Sequence, residues 1–441
     1  LGVPLEYFIE GGRSRTGRML KPKFGMLGMT VDAYIKSQVR PLAFVPVYIG
    51  YEKLVERKSY LGELYGHKKK RESTLGALRA IFRLKGYYGK VTASFGEPIE
   101  LGGLLEKHCS DWSTRGAEIA YKPDWYIASL RHLAQEIMYG INRACVINPV
   151  NSIATILLAT PRQSIEIEEL VSQAKLHHRL IRGAHCLASI RIEGKVNKKQ
   201  IKRIAREKII HIRKHELGDI VYLKPEDSVL IGYYRNNSLH SLVIPALIAC
   251  CFVNVRRVPR ASVQRKIKLL YPFLKSELQL EWQDSSLEEI VDECIACLID
   301  ASLLEQVDKD LRRPRRSNHE FIQLNRLAHI VQPILERYYM TFIVLWQTSA
   351  EPLPEAALEH RCHLLAQKIS MIYGINSPDF FDRLLFRDFI ETMLENEYLV
   401  KNDQEQLEFA TEFDYVSLDL RNLLSTEVRS SILSLIKSAP Q

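Results

Sequence analysis

The sequence predicts an α/β domain, a mixed sheet with flanking helices, followed by a large and mainly α-helical region. Residues 1–105 alternate strand-like and helix-like segments, an order typical of helices packed on the faces of a sheet. From about Tyr121 onward, apolar residues recur at helical spacing. With 441 residues, 46% of them hydrophobic, the chain is long enough to bury more than one core.

The strand-like segments of the first part are rich in Val, Ile, Phe and Tyr, which favour extended backbone. The helix-like segments place apolar residues three and four positions apart. In chain order, the expected strands are 4–9, 42–51 and 90–99, and the expected helices are 29–39 and 73–86. We therefore predict that residues 1–120 form one α/β domain.

The remainder is predicted to be helical with few strands. The clearest helical segments are 125–146, 164–181, 286–304, 357–370 and 379–400, and the possible short strands are 185–194 and 219–223. The basic stretch RRPRRSNHE at 312–320 is typical of an exposed linker. It divides the remainder into a helical region with a few short strands, 121–311, and a C-terminal helical region, 321–441.

The longest apolar run, LVIPALIACCFVNV at 242–255, contains Pro245 and is shorter than the roughly 20 residues that a membrane-spanning helix needs. If the chain meets a membrane, we expect it to lie on the surface and not to cross the bilayer. This run and the segment ERYYMTFIVLWQ at 336–347 fit either a buried core or an interfacial position.

Cysteines and paired histidines carry little chemistry in this sequence. The eight cysteines have no regular framework spacing, and Cys294 and Cys297 form a lone C-x-x-C pair inside an apolar helical segment. Core packing is the expected role of that pair, and no metal site is predicted. His177 and His178 lie on a charged amphipathic segment, where a surface or capping role is expected.

The positive charge is concentrated near the start of the chain. Residues 1–100 hold 18 Lys and Arg against 9 Asp and Glu, whereas the remaining residues are balanced. Such an excess attracts phosphates, nucleic acid or an anionic membrane and cannot by itself choose among them. The run HKKKRE at 67–72 fits lipid headgroups, the phosphates of another partner or a solvated loop.

The stretch YFIEGGRSRTGR at 7–18 places the adjacent pair Gly11 and Gly12, and three arginines, after an apolar segment. Glycine accepts positive φ and allows close approach of a ligand, and the arginine fork suits phosphate oxygens. The stretch is therefore suited to hold a phosphate ester, although a solvated basic turn has the same composition. It lacks the G-x-x-x-x-G-K-[ST] spacing of a Walker loop.

Three motifs in order resemble a known family. FIEGGRSRTGR at 8–18, FVPVYIGYEK at 44–53 and SFGEPI at 94–99 are similar to conserved blocks of the glycerol-3-phosphate acyltransferases, in the bacterial form that acylates the 1-hydroxyl. The helical remainder, including YYRNNSLH at 233–240, is similar in length and character to the C-terminal extension of that family. The resemblance therefore covers nearly the whole chain, and it implies that residues 1–120 are the C-terminal part of an acyltransferase domain.

The resemblance implies roles for six positions. Glu10 and Gly11 match positions that support catalysis, whereas Arg13, Ser14, Arg15 and Pro46 match positions that bind the glycerol phosphate. The reading of the residues alone agrees on the arginines and does not single out Pro46.

The family's general base is the histidine of a His-x4-Asp block. None of the 13 histidines has an aspartate five positions on, and His67 and His211 have a glutamate there. We therefore expect a fragment that lacks the base and the N-terminal blocks, binds substrate weakly and has negligible turnover.

The implied reaction transfers a fatty acyl group from acyl-CoA or acyl-carrier protein to the 1-hydroxyl of sn-glycerol 3-phosphate. The product is lysophosphatidate, in the first step of phospholipid synthesis. No cofactor is implied besides the acyl donor, and the implied location is an anionic membrane surface, peripheral on the cytoplasmic side of a bacterial inner membrane. Dihydroxyacetone phosphate stays open as the acceptor. A nucleic-acid-binding protein is the rival from another class, disfavoured because no RNA or DNA motif accompanies the basic residues.

Overall fold

A computed structural model describes residues 4–12, 14, 16–37, 40–54, 89–373, 380–410 and 414–437. Its contacts divide the chain into two compact units. Unit 1 comprises Leu1–Val146 and Ser189–Arg191, and unit 2 comprises Ile147–Ala188 and Ile192–Gln441. Helices and small sheets are mixed, which is compatible with an α/β part followed by a helical part. The predicted helix at 73–86 and the basic run at 67–72 lie outside the described residues.

Helices dominate the described part of the chain, and the strands are short. The helices are α1 Phe24–Ser37, α2 Leu101–His108, α3 Asp124–Arg143, α4 Pro149–Leu158, α5 Ile167–Gly183, α6 Lys198–Arg206, α7 Pro225–Asn236, α8 Val243–Cys250, α9 Arg260–Leu278, α10 Asp284–Asp300, α11 His319–Ala328, α12 Gln332–Gln347, α13 Glu355–Tyr373, α14 Arg383–Glu395, α15 Asp414–Leu423 and α16 Thr426–Lys437. The strands are β1 Ala43–Phe44, β2 Val47–Tyr51, β3 Val91–Phe95, β4 Ile99–Glu100, β5 Val146–Ile147, β6 Ser164–Glu166, β7 Arg191–Ile192, β8 His211–Arg213, β9 Ile220–Tyr222, β10 Arg257–Pro259, β11 Glu305–Val307, β12 Asp310–Arg312, β13 Leu399–Lys401 and β14 Leu407–Phe409.

The core of unit 1 joins three helices. Leu27 of α1, Leu105 of α2 and Leu133 of α3 are fully buried in one hydrophobic cluster. Apolar residues three and four positions apart place one face of each helix in this cluster. The predicted boundary after residue 120 therefore lies inside unit 1, because α3 packs its apolar face against the two preceding helices.

Two of the strands predicted for unit 1 form, each in two pieces. Segment 42–51 gives β1 and β2, separated at Pro46, which has no N–H to donate to a ladder. Segment 90–99 gives β3 and β4, and the pairs β1–β4 and β2–β3 are antiparallel.

The predicted strand at 4–9 is wrong. Residues 4–8 have no regular structure, and the Phe8 side chain is 74% exposed. The chain turns directly after them, because the Gly11 N–H donates to the Phe8 carbonyl at 3.0 Å. An apolar run becomes a strand only where a neighbouring strand supplies hydrogen-bond partners, and none of the described strands pairs with this one.

Unit 2 holds helices and small sheets, among them β6–β9–β8 and β10–β12–β11. The predicted strand at 219–223 is confirmed as β9. The stretch 312–320, expected to be an exposed linker, lies inside unit 2 and is exposed only from Arg315 to His319. Arg313 is buried, and its Nε donates to the Phe252 carbonyl at 2.9 Å. This hydrogen bond attaches the stretch 312–320 to the rest of unit 2.

The two long apolar segments of unit 2 belong to its core. Every residue of α8 is buried, and α12 buries nearly all of its length. Cys294 is buried and Cys297 is half-buried, so packing explains the C-x-x-C pair as expected. Among the described residues, no helix combines the length and the apolar character needed to cross a bilayer.

The expected surface position of His177 is wrong. Its side chain is 2% exposed, and its Nε2 lies 3.0 Å from Gln173 Nε2. The neighbouring His178 places its Nε2 3.0 Å from Ser152 Oγ, beside a small cavity. Burial lowers the pKa of His177 to about 3 and that of His178 to about 4. Both rings are therefore neutral in the folded chain near neutral pH.

We expect unfolding to become easier between about pH 7 and about pH 5. An unfolded histidine takes up a proton near pH 6.5, whereas the buried His177 stays neutral. The unfolded state therefore binds more protons, and the free energy of unfolding decreases as the pH is lowered. The loss from His177 is roughly 2 kcal/mol by pH 5. Urea denaturation at the two pH values measures it. His177→Gln should weaken the dependence, whereas His360→Gln, at an exposed histidine, should not. Equal dependence in both variants would contradict the prediction.

Candidate functional site

The arginine-rich stretch forms a loop whose two ends are tied together. Ile9 enters it from the core of unit 1, where it is buried with Leu27. The Lys23 N–H donates to the Ile9 carbonyl at 2.8 Å, and the Leu20 N–H donates to Glu10 Oε2 at 2.9 Å. Residues 10–20 are thus closed into a compact surface loop directly before α1.

Glu10 closes this loop through its side chain. The carboxylate is half-buried, and burial raises its pKa while the bond from the Leu20 N–H partly opposes that rise.

The two glycines of the turn differ in their backbone. Gly11 has a φ of +66°, which L side chains rarely adopt, and a Cβ placed on it would lie 2.9 Å from Lys23 Cγ. Gly12 is exposed, and a Cβ placed on it would meet no atom within 4 Å. Gly11 is thus required by the turn, whereas Gly12 leaves open space next to it.

Gly11→Ala is expected to lower the free energy of unfolding by about 1 kcal/mol and to distort the loop, because alanine is strained at positive φ. Gly12→Ala is the matched control and should change stability little. Urea denaturation of both variants measures the difference. Equal stability of the two variants would show that the turn tolerates a side chain at either position.

The positions expected to contact a phosphate are only partly described. Arg13 and Arg15 lie outside the described residues, whereas Ser14 is half-buried. Arg18 is buried, and Lys23 at the end of the loop is exposed. In the described part of the loop, the turn at Gly11 and Gly12 is exposed, residues 16–18 are buried, and exposed lysines follow at Lys21 and Lys23.

Pro46 is buried, which the sequence did not indicate. A Cβ placed on Gly140 of α3 would lie 2.5 Å from Pro46 Cγ, so the ring packs directly on the helix backbone. The Pro46 carbonyl accepts from the Gly96 N–H at 2.8 Å. These contacts join the second and third motifs.

All three motifs are attached to one core. Ile9 of the first motif is buried in the hydrophobic cluster of unit 1, and Phe44 of the second and Ile99 of the third pack against it. The stretch YYRNNSLH at 233–240 lies in unit 2, where Tyr234 is fully buried and its carbonyl accepts from Asn151 Nδ2 at 2.9 Å. That stretch thus packs α7 against α4.

A histidine–aspartate pair exists where the sequence pattern did not place it. His211 Nε2 lies 2.7 Å from Asp227 Oδ2, and the aspartate is 16 residues further on, on α7. Glu216, five positions on, is not the recorded partner. No fixed sequence spacing could have revealed the pair, because the two residues meet through the fold. The pair lies in unit 2.

The described residues of the loop form a closed turn whose backbone is accessible. Gly11 adopts positive φ, and the space next to Gly12 is open, so a ligand can approach the backbone there. The half-buried Glu10 accepts a backbone hydrogen bond and so holds the loop in shape. Residues 10–20 contain no histidine that could act as a base.

Comparisons with known proteins agree with the motifs. The family model described as "Glycerol-3-phosphate acyltransferase C-terminal region" matches residues 60–402. The glycerol-3-phosphate acyltransferase of Pseudomonas putida GB-1 is 37% identical over 432 residues, which are 98% of this chain and 52% of that protein. That of Pseudomonas aeruginosa PAO1 is 36% identical over 440 residues, 100% of this chain and 53% of that protein. The chain spans about half the length of the curated relatives it matches.

Proposed function

Because the chain belongs to the glycerol-3-phosphate acyltransferase family, we propose that it supplies the acceptor-binding part of an enzyme that acylates sn-glycerol 3-phosphate. The observation that carries this proposal is the closed loop at 10–20, where a glycine turn precedes Arg13 and Arg15. Two guanidinium groups can hold the phosphate oxygens by charge-assisted hydrogen bonds. The phosphate end of the acceptor would then be held at the loop.

In the proposed reaction the 1-hydroxyl oxygen attacks the thioester carbonyl of acyl-CoA or acyl-carrier protein. A base takes the hydroxyl proton, an ester bond forms, the carbon–sulfur bond breaks, and the thiol leaves. Lysophosphatidate is the product. Holding the acceptor in place can contribute roughly 7–11 kcal/mol to lowering the barrier of such a step.

The proposed roles divide along the loop. Arg13, Ser14 and Arg15 contact the phosphate, and Glu10 and Gly11 keep the loop in its closed form. Pro46 acts through packing, because it is buried against Gly140. It would position β1 and β2 and not touch the substrate.

The family's His-x4-Asp base has no counterpart among the histidines of this sequence. General-base catalysis typically contributes about 10²–10⁴-fold to a rate. We therefore propose that this chain by itself binds the acceptor and turns it over negligibly.

We also propose that the protein works at an anionic membrane surface, peripheral on the cytoplasmic side of a bacterial inner membrane. The acyl chain of the product is apolar and is best accommodated by a bilayer. The excess of Lys and Arg in residues 1–100 favours anionic headgroups.

Calorimetric titration of the purified chain tests the acceptor. We expect saturable binding of sn-glycerol 3-phosphate and no binding of glycerol, because the phosphate carries the charge that the arginines recognise. Titration with dihydroxyacetone phosphate compares the two acceptors. If neither phosphate ester binds, the proposal is rejected. If dihydroxyacetone phosphate binds more tightly than sn-glycerol 3-phosphate, dihydroxyacetone phosphate is the acceptor.

A further inference from the structure

A second basic surface lies in unit 2, far along the sequence from the arginine loop. Residues 195–214, called here the basic segment, contain nine Lys and Arg and one acidic residue, Glu207. Residues 101–441 as a whole are balanced in charge. The basic segment is therefore a local concentration of positive charge that the net charge of this region conceals.

Helix α6, within the basic segment, separates its apolar and charged residues. Ile201 and Ile204 are fully buried, whereas Lys199, Lys202 and Arg206 are exposed. The apolar face is already used in the core of unit 2. The solvent-facing side of α6 therefore carries the cations Lys199, Lys202 and Arg206.

Part of this charge is neutralised by ion pairs among the described residues. Glu207 Oε1 pairs with Arg203 Nη1 at 3.2 Å, and Glu168 pairs with Lys198. Among the described residues, Lys199, Lys202 and Arg206 take part in no ion pair. Their charge is therefore available to an external anion.

The β8–β9 hairpin begins inside the basic segment and exposes an apolar side chain at its tip. Leu217, between β8 and β9, is 88% exposed, and Lys214 and His215 beside it are exposed too. Gly218 follows with a φ of +135°, and His215 Nδ1 accepts from the Leu217 N–H at 3.1 Å. The turn thus presents an aliphatic side chain to solvent, next to the exposed side chains of Lys214, His215 and Glu216.

We propose that the basic segment and Leu217 form a surface that binds anionic phospholipid headgroups. Lys and Arg near an anionic bilayer attract its headgroups, and an aliphatic tip can enter the apolar layer below them. The proposal deepens the membrane association proposed above and rests on it, since it names the surface that makes the contact.

A lipid surface fits these residues better than nucleic acid or an acidic protein. Residues 195–217 contain no Phe, Tyr or Trp. Single-stranded nucleic acid is held largely by stacking on aromatic rings, and protein interfaces are anchored by aromatic residues. The exposed cations of α6 together with one exposed aliphatic side chain instead match the charged headgroup layer and the apolar layer of a membrane surface.

Flotation with vesicles tests the proposal. The experiment contains no glycerol 3-phosphate, so a negative result would reject the membrane surface without bearing on acceptor binding. The chain should bind vesicles containing about 30% phosphatidylglycerol and not vesicles of phosphatidylcholine alone, and about 0.5 M NaCl should release it. The combined variant Lys199→Gln, Lys202→Gln and Arg206→Gln should bind about hundredfold more weakly, roughly fivefold for each charge. Leu217→Ser should weaken binding roughly tenfold at unchanged charge.

A matched variant carries the same loss of charge elsewhere in unit 2. Lys268, Lys309 and Lys368 are exposed, and their combined replacement by glutamine should leave vesicle binding close to that of the unaltered chain. Equal weakening in both triple variants would overturn the proposal, because net charge alone would then explain binding. The proposal is also overturned if the chain does not bind anionic vesicles, whether or not the chain binds single-stranded RNA or an acidic carrier protein.

Discussion

Replacing Glu277 by alanine is expected to lower the free energy of unfolding by about 3–5 kcal/mol. Arg337 Nη2 donates to both carboxylate oxygens of Glu277, at 2.6 and 2.7 Å, and the Tyr338 hydroxyl donates to Oε2 at 2.8 Å. The side chains of Arg337 and Glu277 are 2% and 6% exposed. Without Glu277, the guanidinium loses the anion that compensates its burial. Urea denaturation measures the loss.

Two controls separate this effect from the loss of any ion pair. Glu305→Ala breaks the exposed pair with Arg312 and should cost at most about 1 kcal/mol, because water screens it. Replacing both members of the buried pair, by Glu277→Leu and Arg337→Met, should restore much of the stability. If Glu277→Ala cost no more than Glu305→Ala, burial would not be the source of the effect.

Replacing Arg13 and Arg15 together by glutamine should weaken the binding of sn-glycerol 3-phosphate at least about hundredfold. Hydrogen bonds to charged groups contribute roughly 1.5–3 kcal/mol each, and this variant removes two charged donors from the proposed phosphate site. Both positions follow the glycine turn in which Gly11 adopts positive φ. Calorimetric titration of the variant against the unaltered chain measures the change.

The neighbouring lysines supply a control for that experiment. Lys21→Gln with Lys23→Gln removes the same charge from the exposed end of the loop and should weaken binding far less. Arg13→Lys with Arg15→Lys keeps the charge and loses the planar fork, so an intermediate affinity is expected. Unchanged affinity in the glutamine variant would show that Arg13 and Arg15 do not bind the acceptor.

Local patterns predicted much of the helical structure. Spacing of apolar residues located α1, α3 and α10 within a few residues of their ends, because one face of each helix must be buried. The motifs that identified the family are also local, since the turn around Gly11 depends on neighbouring residues. The family comparison confirmed that interpretation.

Contacts between distant residues were beyond the sequence patterns. His177 was expected at the surface because its neighbours are charged, yet the packing of unit 2 buries it. The segment at 4–9 has the composition of a strand but finds no partner strand among the described residues. Burial and strand pairing depend on what the rest of the chain places nearby, which composition cannot show.

The candidate site shows the same division. By itself, the sequence determined the chemistry of the loop at 10–18, because the glycines and arginines that suit a phosphate are adjacent in the chain. Only the tertiary structure decided that Pro46 packs on Gly140 and that His211 meets Asp227. Residue type and local spacing determine which groups can bind or react. Which of them come within a few ångströms depends on how helices and strands pack, and that packing is settled by the whole chain at once.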